Sequence, residues 1–424
     1  METPAVTHPP IANADSPLRG KRAAVIVFAY YPSDVRVMRS AQAMHEAGME
    51  VELLCLQQFF EEPRRERIAG VEVFRTAVKK CRGGKLSYAF QYLTFFVRSF
   101  FWLFRGQLGR RYDVVHIHNM PDFLVFSAVL AKLLGAQIVL DLHDPTPEVF
   151  ISVYGLAGDH WLVRLLRYIE KLSISFADLV LTPNVAFRDL FVARSCPPNK
   201  IKIVMNSPLE EVFPFKEPSE QVFASRSTTA SFVVMYHGTL VERHGLHTAV
   251  EAIALLREII PSLRFHIYGE ETPYLRDQIL PLVEKLELQS RVQYFGEQPQ
   301  HVIARAVSNC DLGVVPNLRT VFTEINLPTR IFEYLALGKS VIVPKTRGIQ
   351  DYFNVHNMLF FSAGEVESLA SQIKWVFDHP REASTVARKG QDVYRRHLWT
   401  GEERRLIGLF AGLIRDRFDL RIGA

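Results

Sequence analysis

The segment NLPTRIFEYLALGKSVIVP (326–344) gathers residues whose types and spacing suit an anion. Pro328 falls where a helix would begin, a place that suits proline because first-turn N–H groups lack intrahelical partners. Those N–H groups and the helix dipole favour a phosphate, and Arg330 adds a cation at the same end. Glu333 lies one turn on, placed to accept hydrogen bonds from ribose hydroxyls, and Gly338 stops the helix. Asn326, Leu327 and Thr329 belong to the same candidate site. The plainer reading is a strand–helix unit with a surface Arg and Glu.

Three other segments offer partners. HGTLVERHGL (237–246) sets a Gly-bearing turn after a strand, where the amides of Gly238 and Thr239 can approach a phosphate. As a bare turn it needs no ligand. LDLHDPTPE (140–148) ends a strand on His143 and Asp144. A histidine there can bind a substrate or move a proton, or simply cap the strand. AYYPSDVRVMRSA (29–41) makes a first strand-to-helix turn, with Arg36 facing either an acidic or phosphorylated group or solvent. That turn has no GxGxxG, which counts against a dinucleotide-dependent dehydrogenase.

Residues 75–111 hold nine Lys or Arg and no acid. The helical part puts Ser87, Gln91, Thr94, Arg98 and Arg105 on one polar stripe, with aromatic and aliphatic residues elsewhere. With Lys79, Lys80, Arg82 and Lys85 leading in, it suits an anionic membrane surface. It equally suits a crossover helix packed on a sheet. The longest apolar stretch, 90–104, is interrupted by Arg98 and falls short of the ~20 residues a spanning helix needs.

These segments need a scaffold, and the chain alternates strand and helix patterns throughout. Apolar runs such as AAVIVFA, VELLCL and DVVHIH lack in–out alternation, as parallel strands covered on both faces do. The alternation implies right-handed βαβ units in two doubly wound domains. Residues 1–21 read as a loose tail without a signal-peptide core. Residues 22–207 form the first domain, 208–230 a Pro- and Ser-containing linker, 231–397 the second domain, and 398–424 a C-terminal helix. With 424 residues, 48% hydrophobic and 22% charged, the chain is globular and long enough for two cores. A net charge of +5 is too small to argue for nucleic acid. Four scattered cysteines with no CxxC fit a reducing cytoplasm rather than a disulfide or zinc framework.

Taken together, the segments resemble the GT-B glycosyltransferases, specifically the retaining enzymes of family 4. YPSDVRVMRSAQAMHEAGMEVELLCL resembles that family's first βαβ unit, MNSP (205–208) its Asn-containing turn, and HIYGEE (266–271) its Gly-acidic turn. CDLGVVP resembles the strand beside the nucleotide, LPTRIFEYLALGKSVIVP the donor helix, and Trp399 with the helix after it the segment crossing back to the N-terminal domain. The resemblance implies two Rossmann-like domains facing a central cleft. It implies His143 and Glu333 as catalytic residues, and Gly238, Thr239, His244, Asn326, Leu327, Thr329, Arg330 and Glu333 around the donor. Arg36, His118 and Asp144 fall on the acceptor side. A UDP- or GDP-linked sugar would pass, with retention, to a lipid-linked or polysaccharide acceptor in cell-envelope glycan synthesis. The enzyme would work in the cytoplasm, peripherally on the membrane. No DxD motif is present, and neither metal nor cofactor is expected. The family often carries a second glutamate upstream of the one Glu333 matches; Ile325 fills that place, with Glu324 next door as a candidate substitute. Thr239 and His244 fill a turn where many members carry Arg and Lys, leaving Arg243 as a replacement cation. Two other readings stand beside this one: a GT-B sugar-nucleotide epimerase, and a non-catalytic nucleotide-sugar-binding scaffold.

Overall fold

A computed structural model describes residues 16–78, 85–218 and 231–422, without the side chains of 85–89 and 416–422. Most of the expected tail, half of the linker, and the loop carrying Lys79, Lys80 and Arg82 lie outside it, as do the side chains of Lys85 and Ser87.

Two sheets organise the chain. The first contains β1 (Arg22–Tyr30), β2 (Glu50–Leu56), β3 (Arg65–Ile68), β4 (Val71–Thr76), β5 (Val114–His118), β6 (Gln137–Asp141), β7 (Leu179–Thr182) and β8 (Ile201–Ile203). Their order is β3-β4-β2-β1-β5-β6-β7-β8, parallel except for the β3 edge. The second contains β9 (Phe232–His237), β10 (Leu263–Tyr268), β11 (Val292–Tyr294), β12 (Leu312–Val314), β13 (Ser340–Pro344) and β14 (Leu359–Phe361). Their order is β11-β10-β9-β12-β13-β14, all parallel. Helices cover both faces, so the central strands are buried along their length, as their unbroken apolar runs require.

The Trp399–Ile422 helix crosses back onto the first domain. Its Leu406, Phe410 and Ile414 share one core with Val37, Ala41 and Met44 of the Val35–Glu46 helix. Met205 N donates to Glu402 Oε2 at 3.0 Å, and Val185 N to Tyr352 Oη at 3.0 Å, further tying the halves together.

The polar stripe of the Lys85–Leu108 helix does not make up its solvent face: Arg98 and Arg105 are exposed, but most of that face is apolar. Gln91 is buried with Phe95, Ser99 and Leu103, while Phe90, Leu93, Val97, Phe101, Phe104 and Leu108 are exposed. Phe28 and Phe74 already fill the space beneath, meeting Tyr92, Phe95 and Trp102 edge-on at centroid distances of 4.8–5.5 Å. That leaves the remaining apolar side chains facing outward.

Candidate active site

Each sheet reverses its winding direction once: between β1 and β5 in the first, and between β9 and β12 in the second. Ligands of open α/β sheets bind at the carboxyl ends of strands flanking such a reversal. Both reversals open onto one interdomain cleft of about 610 Å³.

The C-terminal wall carries the segments singled out for phosphate. Gly238 follows β9 with φ +124°, where a side chain is strained. A Cβ there would stand 2.7 Å from Arg330 Nη2, so the glycine makes room for the guanidinium. Arg330 also lies over the Tyr236 ring, 4.8 Å from its centroid, and its buried Nη1 has no partner. It is the first residue of the Arg330–Ala336 helix, so Pro328 precedes the helix instead of opening it. Thr329, the N-cap, is already in helical conformation and makes no side-chain capping bond. Asn326, Leu327, Thr329 and Thr239 line the cleft as expected.

Glu333 is already engaged. Tyr334 Oη donates to Met235 O at 2.8 Å, so it accepts from His237 Nδ1 at 3.1 Å. His237 Nε2 is then a bare acceptor, and Glu333 Oε2, 2.5 Å away, holds the proton between them. Burial pushes Glu333 up to about 7; burial and then Arg330 push His237 down to about 3. A carboxyl whose folded pKa is raised binds its proton more tightly folded than unfolded. The stability this contributes is complete below the unfolded value near 4.5 and is lost as pH rises through about 7. Glu333→Gln keeps a donor toward His237 and cannot ionise. The variant should gain about 2 kcal/mol over wild type between roughly pH 5 and pH 8 in urea melts; a pH-independent difference would show that Glu333 titrates normally.

His244 lines the cleft as expected, but as a neutral ring. Its Nδ1 lies 2.8 Å from Thr239 O, a carbonyl that can only accept, so Nδ1 carries the hydrogen. Burial and then Arg330 lower it to about 3, so it braces the turn as a neutral ring and brings no charge to a phosphate. Glu324 does not replace the missing glutamate. It accepts from Arg347 N at 3.2 Å and pairs with Arg319 at 3.4 Å, away from the cleft lining, while Ile325 packs toward the N-terminal core.

On the N-terminal wall, His143 and Asp144 line the cleft. Burial raises Asp144 to about 6, opposed by Arg243 from the other wall. Two acceptor-side expectations change. Arg36 lines the cleft, but its guanidinium is committed to Asp141 at 2.8 Å and Val204 O at 2.9 Å. His118 is fully buried and reaches the cleft only through His143, with His118 Nδ1 2.7 Å from His143 Nε2. A strand buried on both faces gives no sequence sign of which way a histidine points.

Two cleft residues escaped the sequence reading. Arg39, one turn after Arg36 on the Val35–Glu46 helix, is buried, stacked 4.9 Å from the Trp399 ring and bonded to Asn206 Oδ1. Burial, and then Arg36, lower it to about 9. Asn317, just beyond CDLGVVP, is buried with Oδ1 unpartnered. Among the described residues, Arg39 Nη1, Arg243 Nε, Asn317 Oδ1 and Arg330 Nη1 are buried polar atoms without partners, and all four residues line this cleft.

Residues 33–207 match the family model for a glycosyl transferase 4-like domain, and residues 219–393 that for glycosyl transferases group 1. The chain is 23% identical over 288 residues to the glycogen synthase of Mycobacterium tuberculosis, across 66% of this chain and 63% of that protein. It thus spans less than two thirds of that relative's length. It is 27% identical over 113 residues to the putative colanic acid biosynthesis glycosyltransferase WcaL of Escherichia coli, 26% of this chain and 27% of that one. Among solved structures, a sucrose-phosphate synthase from Thermosynechococcus elongatus superposes with a TM-score of 0.74 at 18% identity, covering 93% of this chain and all 100% of that one. Anabaena HepE in complex with UDP superposes at 0.69 and 15% identity, covering 92% and 100%. At these identities the structural likeness is one of fold. Consecutive family matches over both halves, on two facing Rossmann-like sheets, carry the assignment further: the chain belongs to the GT-B glycosyltransferases of the family 4 type.

Proposed function

We propose that this chain transfers a sugar, with retention, from a UDP- or GDP-linked donor to a lipid-linked or polysaccharide acceptor in cell-envelope glycan synthesis. The observation that carries the reading is the set of unpartnered buried polar atoms on Arg39, Arg243, Asn317 and Arg330. Buried donors without partners cost stability unless a ligand completes them. Three belong to cations, which matches a diphosphate. The leaving-group charge falls on side chains, so the reading needs no metal and no cofactor. The HepE complex with UDP and the colanic acid relative support the choice of donor and product class. A thermal-shift screen of nucleotide sugars should raise the melting temperature with one nucleotide class, and that donor should then label an acceptor with release of the nucleotide diphosphate. Isomerisation of the sugar without an acceptor, or binding without turnover across an acceptor panel, would overturn transfer.

The same reading places the enzyme peripherally on the cytoplasmic face of a membrane. No helix among the described residues is long and apolar enough to cross one. The exposed apolar row of the Lys85–Leu108 helix is joined by Trp161, Leu165, Tyr168 and Leu172 on the Trp161–Phe176 helix. Both helices pack on the 122–133 segment. Arg98, Arg105, Arg164 and Lys171 are exposed beside these rows. The one acid of the second helix, Glu170, is buried against Arg194 at 2.9 Å. Cations beside exposed apolar side chains suit an anionic leaflet. The protein should co-sediment with phosphatidylglycerol vesicles and lose that binding in high salt. Replacing Arg105, Arg164 and Lys171 by Glu and Trp161 by Ser should abolish it. Equal partitioning of wild type and variant would overturn the membrane placement.

A further inference from the structure

We infer that His118 is a positioning residue for His143, holding its ring and fixing which nitrogen is offered to the cleft. This rests on the proposed role of His143 beside the reacting sugar. His116 and His118 alternate along β5 and so project to one side. They meet Asp141 on β6, whose backbone is in register with His118. Arg36 is paired to Asp141 and keeps its carboxyl ionised. Asp141 Oδ2 lies 3.5 Å from His116 Nε2, 3.5 Å from His118 Nδ1 and 3.8 Å from His143 Nε2.

The His118–His143 bond of 2.7 Å can carry one proton. One neutral ring must donate and the other accept, so the two tautomers are coupled. The Asp141 carboxylate favours a proton on that line. His143 N is held by Asn119 Oδ1 at 2.8 Å, and with Nε2 engaged inward, Nδ1 is the ring's uncommitted nitrogen. Packing alone does not account for this arrangement. His116 Nδ1, His116 Nε2 and His118 Nε2 are buried without hydrogen-bond partners, a cost that apolar rings of similar size would avoid. His116, His118 and Asp141 are also close enough to hold a metal ion. Arg36 already neutralises the only carboxylate there, however, and a divalent ion would leave buried charge uncompensated.

Two substitutions separate positioning from packing. His118→Asn sets an amide near the place of Nδ1, whereas His118→Phe keeps the ring and removes the bond. In the full-length protein, nitrogen-15 spectra of the His143 ring should show one tautomer in wild type and in His118→Asn, and a tautomer mixture in His118→Phe. Turnover should fall at least about tenfold in His118→Phe, with nucleotide diphosphate affinity nearly unchanged, and recover in His118→Asn. The spectra need no turnover, so they stand even if the transfer reading fails. Should His118→Phe not fold, wild type and His118→Asn still decide. A tautomer mixture in wild type, identical turnover in all three proteins, or stoichiometric zinc retained by the purified protein would each overturn the inference.

Discussion

Arg330→Ala is expected to weaken binding of the free nucleoside diphosphate by roughly 1.5–3 kcal/mol, about 10- to 100-fold. The size follows from burial. Its Nη1 lies out of solvent without a partner, so a phosphate oxygen meeting it displaces little water and gains a charge-assisted hydrogen bond. Tyr236 beneath the guanidinium and the missing side chain at Gly238 hold it in place, so little ordering entropy remains to be lost on binding. Arg330→Lys should recover only part of the loss, because a point charge cannot reproduce the planar fork. Isothermal titration decides. Unchanged affinity in Arg330→Ala would move the diphosphate away from this helix start, leaving Arg243 and Arg39 as the cations to test.

What the sequence made legible depended on how locally each feature is determined. The long parallel strands announce themselves, because burial on both faces forces unbroken apolar runs such as AAVIVFA. β3, β8 and β14 do not: RERI reads as a charged loop, and three residues of IKI or LFF are too few for a period. Arg330 and Gly238 were legible because proline and glycine punctuate their turns. Arg39 was not, since its partners Asn206 and Trp399 come from far along the chain. Arg36 and Asp141, 105 residues apart, are the same case: helix periodicity placed the arginine, but only the fold of β6 beside it supplied the carboxylate. His244 was legible as a member of the turn, but its protonation state was not, because the carbonyl of Thr239 fixes the tautomer and burial removes the second proton.

His143→Ala should lower turnover on the order of 100-fold while leaving nucleoside diphosphate affinity within about twofold. The split follows from where the ring sits. His143 is on the N-terminal wall beside Asp144, whereas Arg243 and Arg330 come from the opposite domain. Burial, opposed by Asp141, lowers its proton affinity, so the ring is neutral at neutral pH and can hydrogen-bond a sugar hydroxyl. A group that meets the sugar and not the diphosphate changes kcat with little effect on nucleotide binding. Normal turnover in His143→Ala would leave it a strand-end brace. The pairing with His118 sharpens the test. If His118 acts only through His143, adding His118→Phe to His143→Ala should cost nothing more, although alone it slows the wild type. A double-mutant cycle reads that difference directly. Additive losses would mean that His118 acts through the packing of β5 and not through the ring it touches.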